Sequence, residues 1–446
     1  MSRRKNRPVV AIVGRPNVGK STLFNVLAGE KIAIVQDTPG VTRDRIYADC
    51  SWLNYEFTLI DTGGIEPESK DIILSQMREQ AQAAIDMADV ILFMVDLKQG
   101  LQDADDKVAD MLRRSGKPVV LVVNKTDRPI KDMPDVYEFY NLGIGDPYPI
   151  SSANRTGVGD MLDAVVAFFP APKEGEEEDD AVRVAIVGKP NVGKSSIVNR
   201  LLGENRLIVS DIAGTTRDAV DTRVVHDGKE YVFIDTAGLR RRGKIKEDLE
   251  YYMFLRSVAA VERADIAVLV IDASEGVTEQ DAKIAGIAHE RGKAVIIAVN
   301  KWDLIEKDNK TVKQFTDKIR SVLSFIPYAE IIFISAVTGQ RLVKLYEMID
   351  NVHDSQNLRI QTGVLNEIIS EAGMLQQPPQ DKGTMLRIFY AVQSGVEPPT
   401  FVLFVNYKYL MHFSYQRFLE NRIRETFGFR GTPIRFVIRE RNEEKK

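Results

Sequence analysis

Cysteine is almost missing from this chain: Cys50 is the single one among 446 residues. One thiol can form neither an internal disulfide nor a Cys-based zinc set, and such usage fits a reducing compartment. Histidine is scarce as well. His226, His289, His353 and His412 show no ligand spacing, so they are expected at the surface or in the core rather than at a reacting centre. No apolar run approaches the ~20 residues of a membrane span. The start, MSRRKNRPVVAIVG, is basic but has no apolar stretch ending in a small-residue cleavage site, and the expected location is the cytoplasm. Neither charge sign dominates, since 60 Lys+Arg face 64 Asp+Glu for a net charge of -4. That balance removes any whole-chain case for nucleic-acid binding.

What is present is a duplication. PVVAIVGRPNVGKST (8–22) recurs as VRVAIVGKPNVGKSS (182–196), with Gly14 and Gly188 separated by 174 positions. At the same offset IVQDTPGVTRD (34–44) meets IVSDIAGTTRD (208–218), and IDTGG (60–64) meets IDTAG (234–238). VILFMVD (90–96) then faces IAVLVID (266–272), and VVLVVNKTD (119–127) faces VIIAVNKWD (295–303), the offset having drifted to 176. Within each copy, short Val/Ile-rich runs alternate with helical stretches. Strands buried on both faces and joined by helices imply an α/β fold, a doubly wound and mostly parallel sheet with ligands at the carboxyl ends of its strands. The expected domains are 1–170, 182–354 and a smaller α+β unit at 355–440, with an acidic linker at 171–181 and a charged tail at 441–446.

Each copy carries the parts of a P-loop site. Gly14-Arg15-Pro16-Asn17-Val18-Gly19-Lys20-Ser21, followed by Thr22, and Gly188-Lys189-Pro190-Asn191-Val192-Gly193-Lys194-Ser195, followed by Ser196, match G-x-x-x-x-G-K-[ST] between a strand and a helix. The loop's N–H groups would wrap phosphates, Lys20 and Lys194 would neutralise the β and γ groups, and Ser21 and Ser195 would bind Mg²⁺. Asp61 and Asp235 open D-x-x-G elements: the carboxylate would hold Mg²⁺ through its water shell, and the N–H of Gly64 or Gly238 would sense the γ-phosphate. Thr42 and Thr216 stand where a mobile loop places a hydroxyl on Mg²⁺ only when that phosphate is present. Asn124-Lys125-Thr126-Asp127 and Asn300-Lys301-Trp302-Asp303 would set the base. A carboxylate accepts two hydrogen bonds from guanine and none of that pattern from adenine, which also argues against an ATP-using kinase. Ser152-Ala153 and Ser335-Ala336 would back the base, although Ser151-Ser152 is an alternative alignment for the first pair.

With these motifs the chain resembles the translation-factor-related GTPases, and its tandem arrangement resembles the bacterial ribosome-assembly family called Der or EngA. The likeness spans both repeats, the acidic stretch and the run PPTFVLFVN…MHFSYQRFLENRIRETFGFRGTPIRF. It implies GTP and GDP as ligands, and late assembly of the large ribosomal subunit and its rRNA as the setting. It implies GTP-dependent domain rearrangement as the gate, with no membrane and a monomeric chain. Where Ras-like proteins place a water-orienting glutamine, this chain has Ile65 and Leu239. The resemblance implies K⁺ instead, with Asn17 and Asn191 matching the ligating asparagine; loop geometry is the plainer reason for an asparagine at those positions.

The C-terminal region, net +4 from Gln356 to Lys446, is expected to run helix 360–372, strands 384–392 and 400–406, helix 414–427 and strand 433–439, resembling the family's KH-like domain. Gly428-Phe429-Arg430-Gly431 spells G-x-x-G but lies between a helix and a strand, so it reads as a helix C-cap rather than a nucleic-acid clamp. Gly383-Thr384-Met385-Leu386-Arg387 departs from the more basic strand start of relatives. Arg417, Arg422, Arg424, Arg435 and Arg439, and the run Leu239 to Lys244, could meet rRNA phosphates or stay solvated. Cys50 and Trp52 read as packing residues. A GTP-regulated protein scaffold without RNA contact is the alternative function.

Overall fold

The computed structural model describes residues 7–28, 47–62, 77–78, 81–82, 84–169, 181–204, 221–235 and 249–440. The expected sites at Thr42, Gly64, Thr216 and Gly238, and the segments at Ile65, 171–180, 239–244 and 441–446, lie outside the described residues.

The first repeat builds a six-stranded sheet from β1 (Val9–Gly14), β2 (Tyr47–Trp52), β3 (Tyr55–Asp61), β4 (Val90–Asp96), β5 (Val119–Asn124) and β6 (Pro147–Pro149), in the order β2-β3-β1-β4-β5-β6. Every pairing is parallel except the edge hairpin β2–β3. All seven residues of β4 are buried, as a central parallel strand covered by helices on both faces requires. The second repeat gives β7 (Val182–Val187), β8 (Thr222–His226), β9 (Lys229–Ile234), β10 (Ile266–Asp272), β11 (Ala294–Asn300) and β12 (Glu330–Phe333). Their order, β12-β11-β10-β7-β9-β8, is the same topology read from the other edge. Asp227-Gly228, with φ 48° and 79°, makes the two-residue β8–β9 turn of the type that Asp-Gly favours.

The C-terminal unit differs from its expected pattern in one place. The single strand expected at 384–392 is two: β14 (Thr384–Met385) pairs with β13 (Gln380–Asp381), while β15 (Ile388–Gly395) joins β16 (Thr400–Val405) and β17 (Arg435–Glu440) in a three-stranded sheet. Asn406 makes the break. Its Oδ1 accepts the Arg387 N–H at 2.9 Å and its Nδ2 donates to the Met385 carbonyl at 2.8 Å, replacing ladder bonds at that point. Two helices, Thr362–Leu375 and Phe413–Phe427, close the core through Leu365, Ile369, Tyr415, Leu419 and Ile423.

This unit is joined to the second repeat through backbone. The Gly431 N–H donates to the Tyr328 carbonyl at 2.9 Å, and the Val295 N–H donates to the Gly431 carbonyl at 2.7 Å. Gly428 caps the long helix as expected, its N–H on the Arg424 carbonyl at 2.8 Å. The G-x-x-G sequence is thus both a cap and a domain contact.

Candidate nucleotide-binding sites

At the carboxyl end of each parallel sheet, β1 and β7 turn into loops whose glycines have no substitute. Gly14 and Gly19 have φ 159° and 100°, and Gly188 and Gly193 have φ 139° and 100°. A Cβ on Gly19 would lie 2.3 Å from Asn124 Nδ2, and one on Gly193 would lie 2.2 Å from Asn300 Nδ2. The crowding reflects a brace that sequence reading missed. Asn124 Nδ2 donates to the Val18 carbonyl at 2.8 Å, and its Oδ1 accepts the Ser152 N–H at 2.9 Å. Asn300 repeats this with the Val192 carbonyl at 2.8 Å and the Ala336 N–H at 3.0 Å. The motif asparagines therefore tie the phosphate loop to the base-side loop.

The same bonds fix the uncertain register. Ser152 occupies the place of Ala336, so Ser151-Ser152, not Ser152-Ala153, is the pair equivalent to Ser335-Ala336, and Ala153 falls one residue beyond. Ser151 Oγ also donates to Asp127 Oδ1 at 2.8 Å. Lys98, also unpredicted, pairs with Asp127 Oδ2 at 2.6 Å and holds its carboxyl below the usual range.

The base-side lysines are fixed by a second carboxylate. Lys125 Nζ meets Asp96 Oδ2 at 2.6 Å and the Asn17 carbonyl at 2.9 Å, and Lys301 Nζ meets Asp272 Oδ2 at 2.5 Å. Asp96 and Asp272 end β4 and β10. Their signal was available, since both matched apolar runs close on aspartate. Burial opposes ionisation of Asp272, but hydrogen bonds from Lys301 and Ser274 outweigh it and hold its carboxyl low.

The loop lysines are buried among carbonyl dipoles. Lys20 Nζ donates to the carbonyls of Gly14 at 2.8 Å and Arg15 at 2.7 Å; Lys194 does so to Gly188 at 2.7 Å and Lys189 at 2.5 Å. Burial pushes each ammonium down to about 8, against the pull of Asp61 in the first site and of Asp281 in the second. Arg15 is committed elsewhere: its Nε reaches buried Asp105 Oδ1 at 2.8 Å and its Nη1 reaches Gln99 at 2.7 Å. Asn17 and Asn191 are exposed and left-handed, with φ 64° and 63°, which asparagine tolerates better than most residues.

The metal-side residues differ between copies. In the first, Ser21 Oγ stands 3.2 Å from Asp61 Oδ2, a pair of hard oxygens suited to Mg²⁺. In the second, the donor types match but Asp235 is engaged by Arg256, with Nη2 2.5 Å from Oδ1 and Nε 3.1 Å from Oδ2. Burial raises the Asp235 carboxyl, and the Arg256 charge opposes that rise.

The remaining expectations fall into place as packing. Cys50 is buried with Sγ 3.4 Å from the Leu27 carbonyl, and burial pushes its thiol up to about 12. His226 stacks on Tyr346, and His289 bonds the Tyr328 hydroxyl at 2.8 Å. Among the described residues there is no group of three or more His, Cys, Asp or Glu able to hold a metal, and no helix long and apolar enough to cross a membrane. Arg424 is not an open basic contact. It bonds Glu420 and the Phe429 carbonyl and lies 4.9 Å over the Tyr328 ring, while Arg435 donates to the Glu290 carbonyl at 2.5 Å.

The family described as "50S ribosome-binding GTPase" matches residues 9–125 and again 183–301, and the "KH-domain-like of EngA bacterial GTPase enzymes, C-terminal" matches 359–439. The chain is 72% identical to GTPase Der of Agathobacter rectalis over 98% of its own length and 99% of that protein's. It is 69% identical to GTPase Der of Lachnospira eligens, over 99% of this chain and 100% of the relative. GTPase Der of Alkaliphilus metalliredigens, at 61% identity over 98% and 99%, extends the same likeness. With two GTPase domains and the C-terminal KH-like domain all matched, the chain belongs to the Der (EngA) family of GTP-hydrolysing switch proteins.

Proposed function

We propose that this GTPase acts as a monomer in late assembly of the large ribosomal subunit, with GTP-dependent rearrangement of its domains gating association. The observation that carries this is the join between the KH-like domain and the second GTPase domain. Gly431 exchanges backbone hydrogen bonds with Tyr328 and Val295, a contact through which the KH-like surface would follow that nucleotide domain. The domains are taken as 1–170, 182–354 and 355–440, with the helix Val343–Asn357 carrying the second domain across the last of these limits.

In each site the loop from Gly14 to Thr22, or from Gly188 to Ser196, would cradle phosphates, with Lys20 or Lys194 on the β and γ groups. Asp127 and Asp303 would select guanine, while Asn124 and Asn300 would hold the base loop against the phosphate loop. Mg²⁺ would be held by Ser21, Thr42 and Asp61, and by Ser195, Thr216 and Asp235, where it would offset phosphate charge. Asn17 and Asn191 are the candidate K⁺ ligands, and equal hydrolysis rates in Na⁺ and K⁺ buffers would remove that role.

Sedimentation with purified large subunits tests the partner. Binding with a non-hydrolysable GTP analogue and its absence with GDP is the expected result; no binding in either state, with nucleotide occupancy verified, overturns it. The scaffold alternative is separated by exposed Arg417 and Arg439. Their replacement by Ala weakens subunit binding only if the KH-like domain meets RNA phosphate.

A further inference from the structure

We infer that Arg256 is a latch on the magnesium carboxylate of the second site, held closed by the first GTPase domain. The inference rests on the reading of Asp235 as a magnesium ligand. Arg256 lies in the Leu249–Arg263 helix, and its guanidinium forks over both Asp235 oxygens at 2.5 and 3.1 Å. A two-pronged guanidinium takes one lone pair on each carboxylate oxygen and brings a positive charge where a divalent cation would sit. The third nitrogen, Nη1, is 3.6 Å from Asp86 Oδ2, which belongs to the first domain. The small cavity beside this cluster is lined by Lys194, Asp235 and Arg256, so the latch and the loop lysine face one cavity.

The backbone of Asp235 is anchored too. It is left-handed, with φ 57°, and its N–H donates to Asp221 Oδ1 at 2.9 Å. Asp221 Oδ2 in turn accepts Arg263 Nη2 at 2.5 Å. The duplication supplies an internal control. Aligned on Ala84/Ala260 and Ala88/Ala264, the first repeat carries Gln80 in place of Arg256 and Met87 in place of Arg263. An amide brings no charge to compete with a cation, and a thioether has no proton to donate. In that repeat Ser21 Oγ lies 3.2 Å from Asp61 Oδ2.

The latch also has a mechanical backing. Leu255 and Ala259, flanking Arg256 on the same helix, are buried in the first domain's core cluster with Met77, Ala81 and Ala84. Docking of the first domain thus fixes the helix that carries the arginine, while Asp86 adds charge on its far side. Magnesium at Asp235 must displace Arg256 and disturb that seat. By reciprocity, domain docking and magnesium binding at the second site oppose one another.

The test uses the full chain with Asp127→Asn, whose amide cannot accept both guanine donors, so that GDP loads the second site. Mn²⁺ binding, read by electron paramagnetic resonance in the presence of GDP, reports the metal site without turnover. Arg256→Gln, which gives the second repeat the residue type of the first, is expected to lower the Mn²⁺ concentration for half-saturation roughly tenfold, within the usual range of coupling between sites. Asp86→Ala is expected to lower it roughly threefold, and to add nothing on top of Arg256→Gln because the two act through one contact. Arg256→Lys keeps the charge without the fork and gives an intermediate shift, which serves if Arg256→Gln melts early. Half-saturation unchanged or raised by both Arg256 variants, while Asp235→Asn raises it, overturns the latch. If Asp235→Asn also leaves it unchanged, the magnesium reading of Asp235 falls and the latch with it.

Discussion

A methyl group at Gly19 or Gly193 would meet the side-chain amide of the opposite motif asparagine at 2.3 or 2.2 Å, in a backbone conformation side chains avoid. Gly19→Ala and Gly193→Ala should therefore each empty one site and spare the other. Fluorescent GDP titration should show one binding event where the parent shows two. The loop lysines give a pH signature. In the free site each sits at about 8, and a bound phosphate raises it. Binding above pH 8 must then take up a proton, so affinity falls as pH rises, by at most about tenfold per unit per site, while below pH 8 this contribution is flat. Calorimetry in buffers of different ionisation enthalpy would detect the uptake. The motif residues were legible in the sequence because their spacing repeats after 174 or 176 positions. The asparagine brace and Lys98 were not, because each depends on which loops the fold brings within 3 Å.

At the level of elements, the parallel strands were readable because burial on both faces writes an uninterrupted apolar run, as in Val90–Asp96. The split between Met385 and Ile388 was not, since one asparagine side chain at 406 substitutes for ladder bonds without altering the apolar pattern. G-x-x-G was legible as a cap but not as a contact. Gly431 has φ 71°, and a Cβ there would lie 2.4 Å from Val352 Cγ2. Val352 is buried in the second domain, so it has little room to yield. Gly431→Ala should cost about 2–4 kcal/mol, combining left-handed strain with overpacking. Chemical denaturation should show the loss, with the KH-like domain cleaved by protease before either GTPase domain. Unchanged protease resistance would mean that the join between the domains is loose.

At the level of the molecule, the first domain meets the second through the edge strand that follows its expected switch threonine, since Thr42 precedes Tyr47 by five positions. Tyr47 hydroxyl donates to Glu290 at 2.7 Å, and the Arg291 guanidinium lies 4.6 Å over the Tyr47 ring while pairing with both Asp49 and Glu262. Arg291 and Glu262 are 9% and 5% exposed at their side chains, so water cannot replace one partner when the other is removed. Burial pushes the Tyr47 hydroxyl up, and Glu290 adds to that, so it stays a donor across the working pH range. Removing one member of a buried ion pair typically costs about 3–5 kcal/mol through the charge left behind. Arg291→Met, which keeps most of the volume, should therefore release the first domain, because Asp49 and Tyr47 on that domain lose the guanidinium that holds them. Small-angle scattering should give a larger radius of gyration for the variant, while both GTPase domains keep their melting transitions. Arg291→Met with Glu262→Gln should recover part of the loss, since no unpaired charge then remains at 262. A variant as compact as the parent would place the docking energy in the helix contact of Leu255 and Ala259 instead, and Leu255→Ala would then be the change that frees the domain.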